Sequence, residues 1–269
     1  LRNLGVESQI QRTTVSVAPH TAATVENVIG VIKGTASTRA VALAAHYDSV
    51  PYGPGASDDG MGVAAMLEAA RTIKAGPPLK NDLLLVFTDG EEGFKRGEGL
   101  RGAVAFAKQH PLAKEVGVML NFDCRGTTGC VYMYETSPNN GWLIREMARA
   151  GCRPVASSFM GDLSRKMPTG SDFEAFLDVG MEGLNFAHVK GVTRYHTMLD
   201  DTRHLDKRTL QHHGEYAFKL ARHFGNLPLD QVSAPDAVFF NPLGSLMMVY
   251  PVTWVWPLNI VALLAALAA

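Results

Sequence analysis

The chain has 269 residues, of which 46% are hydrophobic and 19% are charged, and its formal net charge is -1. This apolar content can build a large core and excludes a disordered chain. The balanced charge lacks the basic excess of a nucleic-acid-binding protein, so we expect no nucleic-acid partner. Three cysteines are too few for a disulfide scaffold.

The first 228 residues alternate between strand patterns and helix patterns. Short apolar runs recur along the chain, and segments with apolar residues three or four positions apart lie between them. The predicted strands are 27–32, 40–45, 82–88, 116–122, 130–134 and 183–187, and the predicted helices are 62–73, 102–109, 141–150 and 206–224. This alternation predicts an α/β fold with a mostly parallel, mixed sheet sandwiched between helices. In such folds, ligands bind beyond the carboxyl ends of the strands.

The end of the chain is apolar, because no charged residue follows Asp236. Residues 249–269 are about as long as a helix that spans a bilayer, and Trp254 and Trp256 lie where an interfacial aromatic belt would start. We therefore divide the chain into a domain at 1–228, a linker at 229–237 and an apolar segment at 238–269, which we expect to be a shortened transmembrane segment. Pro251 and Pro257 argue against one unbroken helix, and a buried segment packed on the domain is the alternative. Both ends of the chain are typical of a piece of a longer protein.

The candidate functional residues lie in five short acidic or histidine-containing segments near the ends of the predicted strands. Each segment alone is a weak indication, because a single histidine or Glu pair is usually a solvated surface and an aspartate before a helix is usually a cap. The carboxyl ends of parallel strands share one edge of a sheet, so these groups should converge. Two histidines and several carboxylates then favour a divalent cation such as zinc. The segments are HYD at 46–48, SDDG at 57–60, DGEE at 89–92, Asp123, and YHT at 195–197.

The order H-x-D, S-D-D-G-x-G, E-E, a strand-end D and Y-H-T-x-x-D resembles the di-zinc aminopeptidase family. Within that family it is most similar to the membrane-bound metallopeptidases of the endoplasmic reticulum and vacuole and their bacterial relatives. The resemblance covers residues 27–224, and GLRGA at 99–103 also fits it. One departure is the stretch at 93–98, which is longer than the family's usual spacing and lies beside the expected site.

The resemblance implies a zinc exopeptidase-like fold that binds two Zn²⁺ ions, the second of which could be another divalent metal. It implies that one ion is held by His46 and Asp123, the other by Glu92 and His196, and both by a bridging Asp58. It also implies that Glu91 is the general base and that Asp48 orients His46. A cis peptide between Asp58 and Asp59 is a further implication of the resemblance.

Other roles implied by the resemblance are less specific. Tyr195 and Asp172 are assigned to substrate binding, although packing is an equal alternative for Tyr195 and a helix cap for Asp172. Asp200 is expected to brace the loop that carries His196, and Arg125 to pair with a carboxylate. We interpret His188, His212 and His213 as structural or surface residues.

The leading functional hypothesis is a metallo-aminopeptidase that hydrolyses N-terminal residues from peptides through a water activated by two metals, with Glu91 as general base. A carboxypeptidase or a glutaminyl-cyclase-like enzyme would use the same site. A receptor-like ectodomain without metals is a further alternative, which the presence of all six site residues disfavours. The resemblance also implies membrane anchoring through the C-terminal segment and a catalytic domain on the extracytoplasmic side, either periplasmic or lumenal.

Overall fold

The computed structural model describes residues 1–19, 21–93, 98–164 and 170–268. Its centre is a seven-stranded sheet in the order β1-β2-β4-β3-β5-β7-β6. The strands are β1 (Glu7–Ala18), β2 (Thr21–Ile32), β3 (Ala40–His46), β4 (Leu83–Thr88), β5 (Val116–Cys124), β6 (Tyr132–Thr136) and β7 (Gly183–His188).

The four central strands β4, β3, β5 and β7 are parallel, whereas β1, β2 and β6 join the sheet antiparallel at its two sides. Every residue of β3, β4 and β7 is buried. Strands covered on both faces need apolar side chains in both directions, which explains their nearly continuous apolar sequences. The prediction of a mostly parallel, mixed sheet is confirmed.

Helices cover both faces of this sheet. Alternate strand residues point to opposite faces, so Leu43 packs in one core and Ala44 in the other. The larger core takes its helical side chains from α1 (Gly60–Ala75), α3 (Gly141–Arg149) and α6 (Lys207–Phe224). The smaller core takes them from α2 (Arg101–Gln109) and α5 (Asp172–Leu177), and a short helix, α4 (Ser158–Ser164), lies near β6.

The C-terminal part differs from the single apolar segment expected over 238–269. It begins with an antiparallel hairpin, β8 (Ala237–Leu243) and β9 (Leu246–Pro251). The hairpin is attached to the domain, because Asn241 Oδ1 accepts the Ala156 N–H at 2.7 Å and Ser158 Oγ accepts the Phe239 N–H at 2.9 Å. Leu229, in the predicted linker, is fully buried in the larger core.

The chain then forms α7 (Val255–Ala268), a 14-residue helix with no buried residue. Across the part of the chain that the structure describes, no helix combines the length and the apolar character needed to cross a bilayer. The predicted transmembrane segment is therefore not confirmed.

Candidate metal and catalytic site

The five predicted metal ligands meet at the carboxyl edge of the parallel strands. His46 ends β3, Glu92 follows β4, Asp123 lies at the end of β5, Asp58 precedes α1, and His196 lies in the loop after β7. Their ligand atoms form two groups, His46 with Asp58 and Asp123, and Asp58 with Glu92 and His196. Within each group the atoms lie within 4.8 Å of one another, and Asp58 belongs to both groups.

The two carboxylate oxygens of Asp58 face different histidines. Oδ1 lies 3.4 Å from His46 Nε2, and Oδ2 lies 3.2 Å from His196 Nε2. His196 Nε2 is also 3.0 Å from Glu92 Oε1. An aspartate whose oxygens point at two separate nitrogen donors has the arrangement of a carboxylate that bridges two cations.

Three of these buried ligand atoms lack hydrogen-bond partners among the described residues, namely Asp58 Oδ2, Glu92 Oε1 and His196 Nε2. A buried polar atom without a partner is costly, and a bound cation would remove that cost. Imidazole nitrogens mixed with carboxylate oxygens form a donor set that zinc accepts. The residues present therefore fit the zinc ions that the sequence predicts.

Asp48 supports the site through both its main chain and its side chain. Its backbone oxygen lies 3.0 Å from His46 Nδ1, and its carboxylate oxygen lies 3.6 Å from the same nitrogen. A proton donated from Nδ1 to that carbonyl leaves Nε2 free to face Asp58. The carboxylate of Asp48 accepts the backbone N–H groups of Glu91 and Glu92, both at 3.1 Å. The predicted orienting role thus falls to the main chain, while the side chain holds the Glu91–Glu92 segment.

Asp200 connects two loops of the site. Its buried carboxylate accepts the backbone N–H groups of Ser57 at 2.8 Å and Asp58 at 3.1 Å. Its own N–H donates to the Thr197 carbonyl at 3.1 Å, next to His196. The sequence predicts only a brace for the His196 loop, whereas the structure adds a direct hold on the segment that carries Asp58.

Burial shifts the protonation of the acidic groups. Burial raises the pKa of Glu91 well above its usual value, and the nearby charge of Asp123 adds to this shift, whereas His46 opposes it. Burial likewise raises the pKa of Asp123 to about 7. Burial lowers the pKa of His196, but the close carboxylates of Asp58 and Glu92 outweigh it and raise the pKa to about 9. Nearby positive charge would favour the ionised carboxylates and the neutral imidazole, which are the forms that bind metals.

The two residues predicted to bind substrate lie in different surroundings. The Tyr195 ring stacks on His196 with a centroid distance of 3.7 Å, at the edge of the site. Asp172 is only 2% exposed, and its Oδ2 accepts a hydrogen bond from Thr88 Oγ1. Its charge contributes to the raised pKa of Glu91, so it influences the site electrostatically. The helix cap is Ser171 rather than Asp172, which lies in the first turn of α5.

Sequence reasoning missed a buried network below Asp58. The Ser57 hydroxyl donates to the Gly126 carbonyl at 2.7 Å and lies 3.0 Å from His188 Nε2. His188 Nδ1 lies 2.9 Å from His213 Nε2, and both rings are fully buried. His213 therefore reaches from α6 to the end of β7, and its burial fits the structural role expected of it rather than a surface position. No spacing between residues 57, 188 and 213 indicates this contact.

Two further expectations concern the backbone near the site. The Asp58–Asp59 peptide is cis, as the resemblance implies. Residues 94–97 of the long stretch at 93–98 lie outside the described residues.

A mixed sheet that carries two such ligand groups at its strand ends is the arrangement expected of a metallopeptidase. The model of Peptidase family M28 matches residues 27–221, and the chain belongs to this family.

Curated relatives include endoplasmic reticulum metallopeptidase 1 of Mus musculus, which is 29% identical over 214 residues, covering 77% of this chain and 23% of the relative. The vacuolar membrane protease of Eremothecium gossypii is 30% identical over 249 residues, covering 90% of this chain and 24% of the relative. The chain thus spans about a quarter of the length of these relatives.

Solved structures support the same fold. A zinc aminopeptidase from Bacillus subtilis is similar with a TM-score of 0.57 and 24% identity, covering 77% of this chain and 51% of that chain. A glutaminyl cyclase from Tannerella forsythia is similar with a TM-score of 0.64 and 20% identity, covering 82% of this chain and 86% of that chain. At these identities the likeness concerns the fold alone.

Proposed function

We propose that this chain is a zinc-dependent exopeptidase that removes N-terminal residues from peptides. The observation that carries the proposal is the pair of ligand groups that share Asp58, with Glu91 beside them. His46 and Asp123 would hold one ion, Glu92 and His196 the other, and Asp58 both. A receptor-like ectodomain without metals would be expected to have lost one or more of the five ligands and Glu91. All six residues are present in this chain.

Zinc, when bound, supplies Lewis-acid polarisation of the substrate carbonyl and lowers the pKa of water. The remaining steps belong to residues of this chain. The Glu91 carboxylate takes a proton from the attacking water and returns it to the leaving amine. Its backbone N–H is fixed by Asp48, and burial raises its pKa above the usual value, which favours uptake of a proton by the carboxylate.

Replacement of Glu91 by glutamine tests this role. The substitution keeps the size of the side chain and removes the proton acceptor, so hydrolysis should fall by at least roughly 100-fold, the lower end for general acid–base catalysis. Zinc content, measured by atomic absorption, should stay at the level of the unsubstituted protein. Undiminished hydrolysis by the Glu91→Gln protein would refute the assignment.

Aminopeptidase activity is separated from its alternatives by substrate. An aminopeptidase should release 4-nitroaniline from aminoacyl 4-nitroanilides and free glutamine from glutaminyl peptides, and it should leave N-blocked peptides with a free carboxyl end intact. A chelator should abolish that hydrolysis. Cleavage of the N-blocked peptides instead would indicate a carboxypeptidase. Release of pyroglutamyl product and ammonia would indicate a glutaminyl cyclase.

We also propose that the chain attaches to a membrane through its C-terminal apolar segment, with the catalytic domain on the extracytoplasmic side. The support is α7, which exposes Trp256, Ile260 and Leu267 by 75%, 54% and 76%. An apolar helix with no buried face is unfavourable in water. The full chain should float with phosphatidylcholine vesicles, and a chain ending at Pro251 should not. Equal flotation of both would contradict the proposal, and protease accessibility in sealed vesicles tests the orientation.

A further inference from the structure

A small cavity of about 70 Å³ lies beside the candidate metal site. Its walls are mostly apolar or aromatic and come from β6, α4 and the end of β7. A cavity of this size can hold several water molecules. The lining residues that matter here are Arg125, Tyr134, Met160, Leu163 and Ala187.

Two observations place the cavity near the site. Arg125 lies two residues after Asp123, and Ala187, which also lines the cavity, is paired with Asp123 between β5 and β7. The Arg125 guanidinium carbon lies 5.9 Å from the centroid of the Tyr195 ring, and that ring stacks on His196. Arg125 and the cavity wall therefore lie close to where a substrate would be held between Asp123 and His196.

Arg125 is the feature that gives the cavity chemical selectivity. Its side chain is half-buried, and no carboxylate of residues 1–19, 21–93, 98–164 or 170–268 lies within salt-bridge distance of it. The expected pairing of Arg125 with a carboxylate of this chain is thus not found within those ranges. A guanidinium group presents five donors in a planar fork that matches a carboxylate, and partial burial makes such a partner more valuable.

We propose that Arg125 makes this cavity a binding site for a carboxylate of the substrate, so that acidic substrates are preferred. Tyr134, Met160 and Leu163 would pack on the methylene groups that carry the carboxylate. The carboxylate could be the side chain of an N-terminal Glu or Asp, or the free C-terminus of a dipeptide. This inference rests on the proposed peptidase function, which it refines by naming the substrate class.

The test compares zinc-loaded wild type with Arg125→Met, which keeps side-chain length and removes the charge. The first arm compares Glu-, Gln- and Leu-4-nitroanilides. The second arm compares the dipeptide Ala-Ala, which has a free C-terminal carboxylate, with the same dipeptide amidated at its C-terminus. For the acidic member of at least one arm, Arg125→Met should lower kcat/KM roughly 10- to 100-fold, the value of a charge-assisted hydrogen bond. Hydrolysis of the Leu substrate should fall much less than that of the acidic substrate, and the affected arm identifies the source of the carboxylate.

Two further variants separate charge from folding. Arg125→Lys should restore part of the acidic preference, because it restores the charge without the fork. Arg12→Met is the matched control, since the Arg12 side chain is 73% exposed on β1, and it should behave as wild type. A loss of all hydrolysis in Arg125→Met, equal for acidic and neutral substrates, would overturn the proposal.

Binding without turnover provides an independent measurement. Zinc-loaded Glu91→Gln protein is titrated by calorimetry with two pairs of compounds, L-isoglutamine against L-glutaminamide and Ala-Ala against its amide. In at least one pair, the compound that carries the carboxylate should bind more tightly. Adding Arg125→Met should abolish this difference. If zinc-loaded wild type hydrolyses nothing but the binding difference is present, the peptidase proposal fails and the carboxylate site stands. If hydrolysis is normal but neither preference nor binding depends on Arg125, the carboxylate site is refuted alone.

Discussion

Replacing Asp200 with asparagine should weaken both the fold and the metal site, although Asp200 belongs to neither ligand group. The Asp200 side chain is 3% exposed and accepts two backbone N–H groups, from Ser57 and Asp58. The oxygen of an asparagine can accept one of them, while its NH₂ group would face the other donor. One buried N–H then loses its partner, and the remaining bond loses its charge.

The expected cost follows from these two changes. An unsatisfied buried donor costs about 1–3 kcal/mol, and the loss of charge from the second bond adds about 1 kcal/mol, so the free energy of unfolding should fall by about 2–4 kcal/mol. The displaced backbone is that of Asp58, so zinc affinity should fall as well. Urea unfolding of the chelated protein measures the first effect, and a zinc titration with a competing chelator measures the second.

Asp201→Asn is the matched control. Asp201 is the next residue, and its carboxylate pairs with Arg203 and His204 at the outer side of the loop rather than with the Asp58 segment. It should leave zinc affinity unchanged. If Asp200→Asn unfolds at the same urea concentration as wild type and binds zinc as tightly as wild type, Asp200 does not hold the bridging residue. Our account of the loop would then be wrong.

Two other outcomes are expected. Asp48→Asn should lower kcat roughly 10-fold or more while keeping zinc, because it disturbs one of the charge-assisted bonds that fix Glu91 and Glu92; a larger loss of zinc than of activity would contradict this. In the metal-free protein, burial raises the pKa of Asp123 from 3.8 to about 7 and that of Asp172 from 3.8 to about 6. Groups with raised folded-state pKa values contribute full stability below about pH 4, which is lost as the pH rises to 7. Burial lowers the pKa values of His188 and His213, and their contribution to stability rises over the same pH range, so the test is the difference between variants. In chelator, Asp123→Asn should lose less Tm between pH 5 and pH 7 than wild type; identical pH profiles would refute the reasoning.

The central sheet could be predicted because its strands are buried on both faces. A continuous apolar run such as LLLVFT at 83–88 is suited to a strand that is buried on both faces. Parallel neighbouring strands must then be joined by crossover segments, which are usually helices. β1 was not predicted, because it lies at the edge of the sheet and its only buried side chain is Val15. An edge strand with mostly exposed polar residues has no strong periodic pattern to detect.

The hairpin at 237–251 could not be distinguished from a membrane segment for a related reason. Absence of charge is common to both, and hydropathy does not report pairing between β8 and β9. Pairing depends on contacts such as that of Asn241 with Ala156, which no local pattern encodes.

The convergence of the candidate ligands could be predicted because the topology of a parallel sheet places strand ends together, whereas their assignment to individual ions came from the family resemblance. His46, Asp123 and Glu92 each lie at or just after a strand of the parallel set. The supporting contacts could not be predicted in the same way. The hold of Asp200 on Asp58, and the contact of His213 with His188, join residues far apart in sequence whose types are also common on surfaces.

The number of zinc ions per chain tests the shared role of Asp58 most directly. Mass spectrometry under native conditions should find two zinc ions on the wild-type chain and on Asp201→Asn. Asp58→Ala should lose both ions, because each ligand group loses the same residue. An Asp58→Ala protein that keeps two zinc ions, or a wild-type chain that binds none, would contradict the account of a site built around one bridging aspartate.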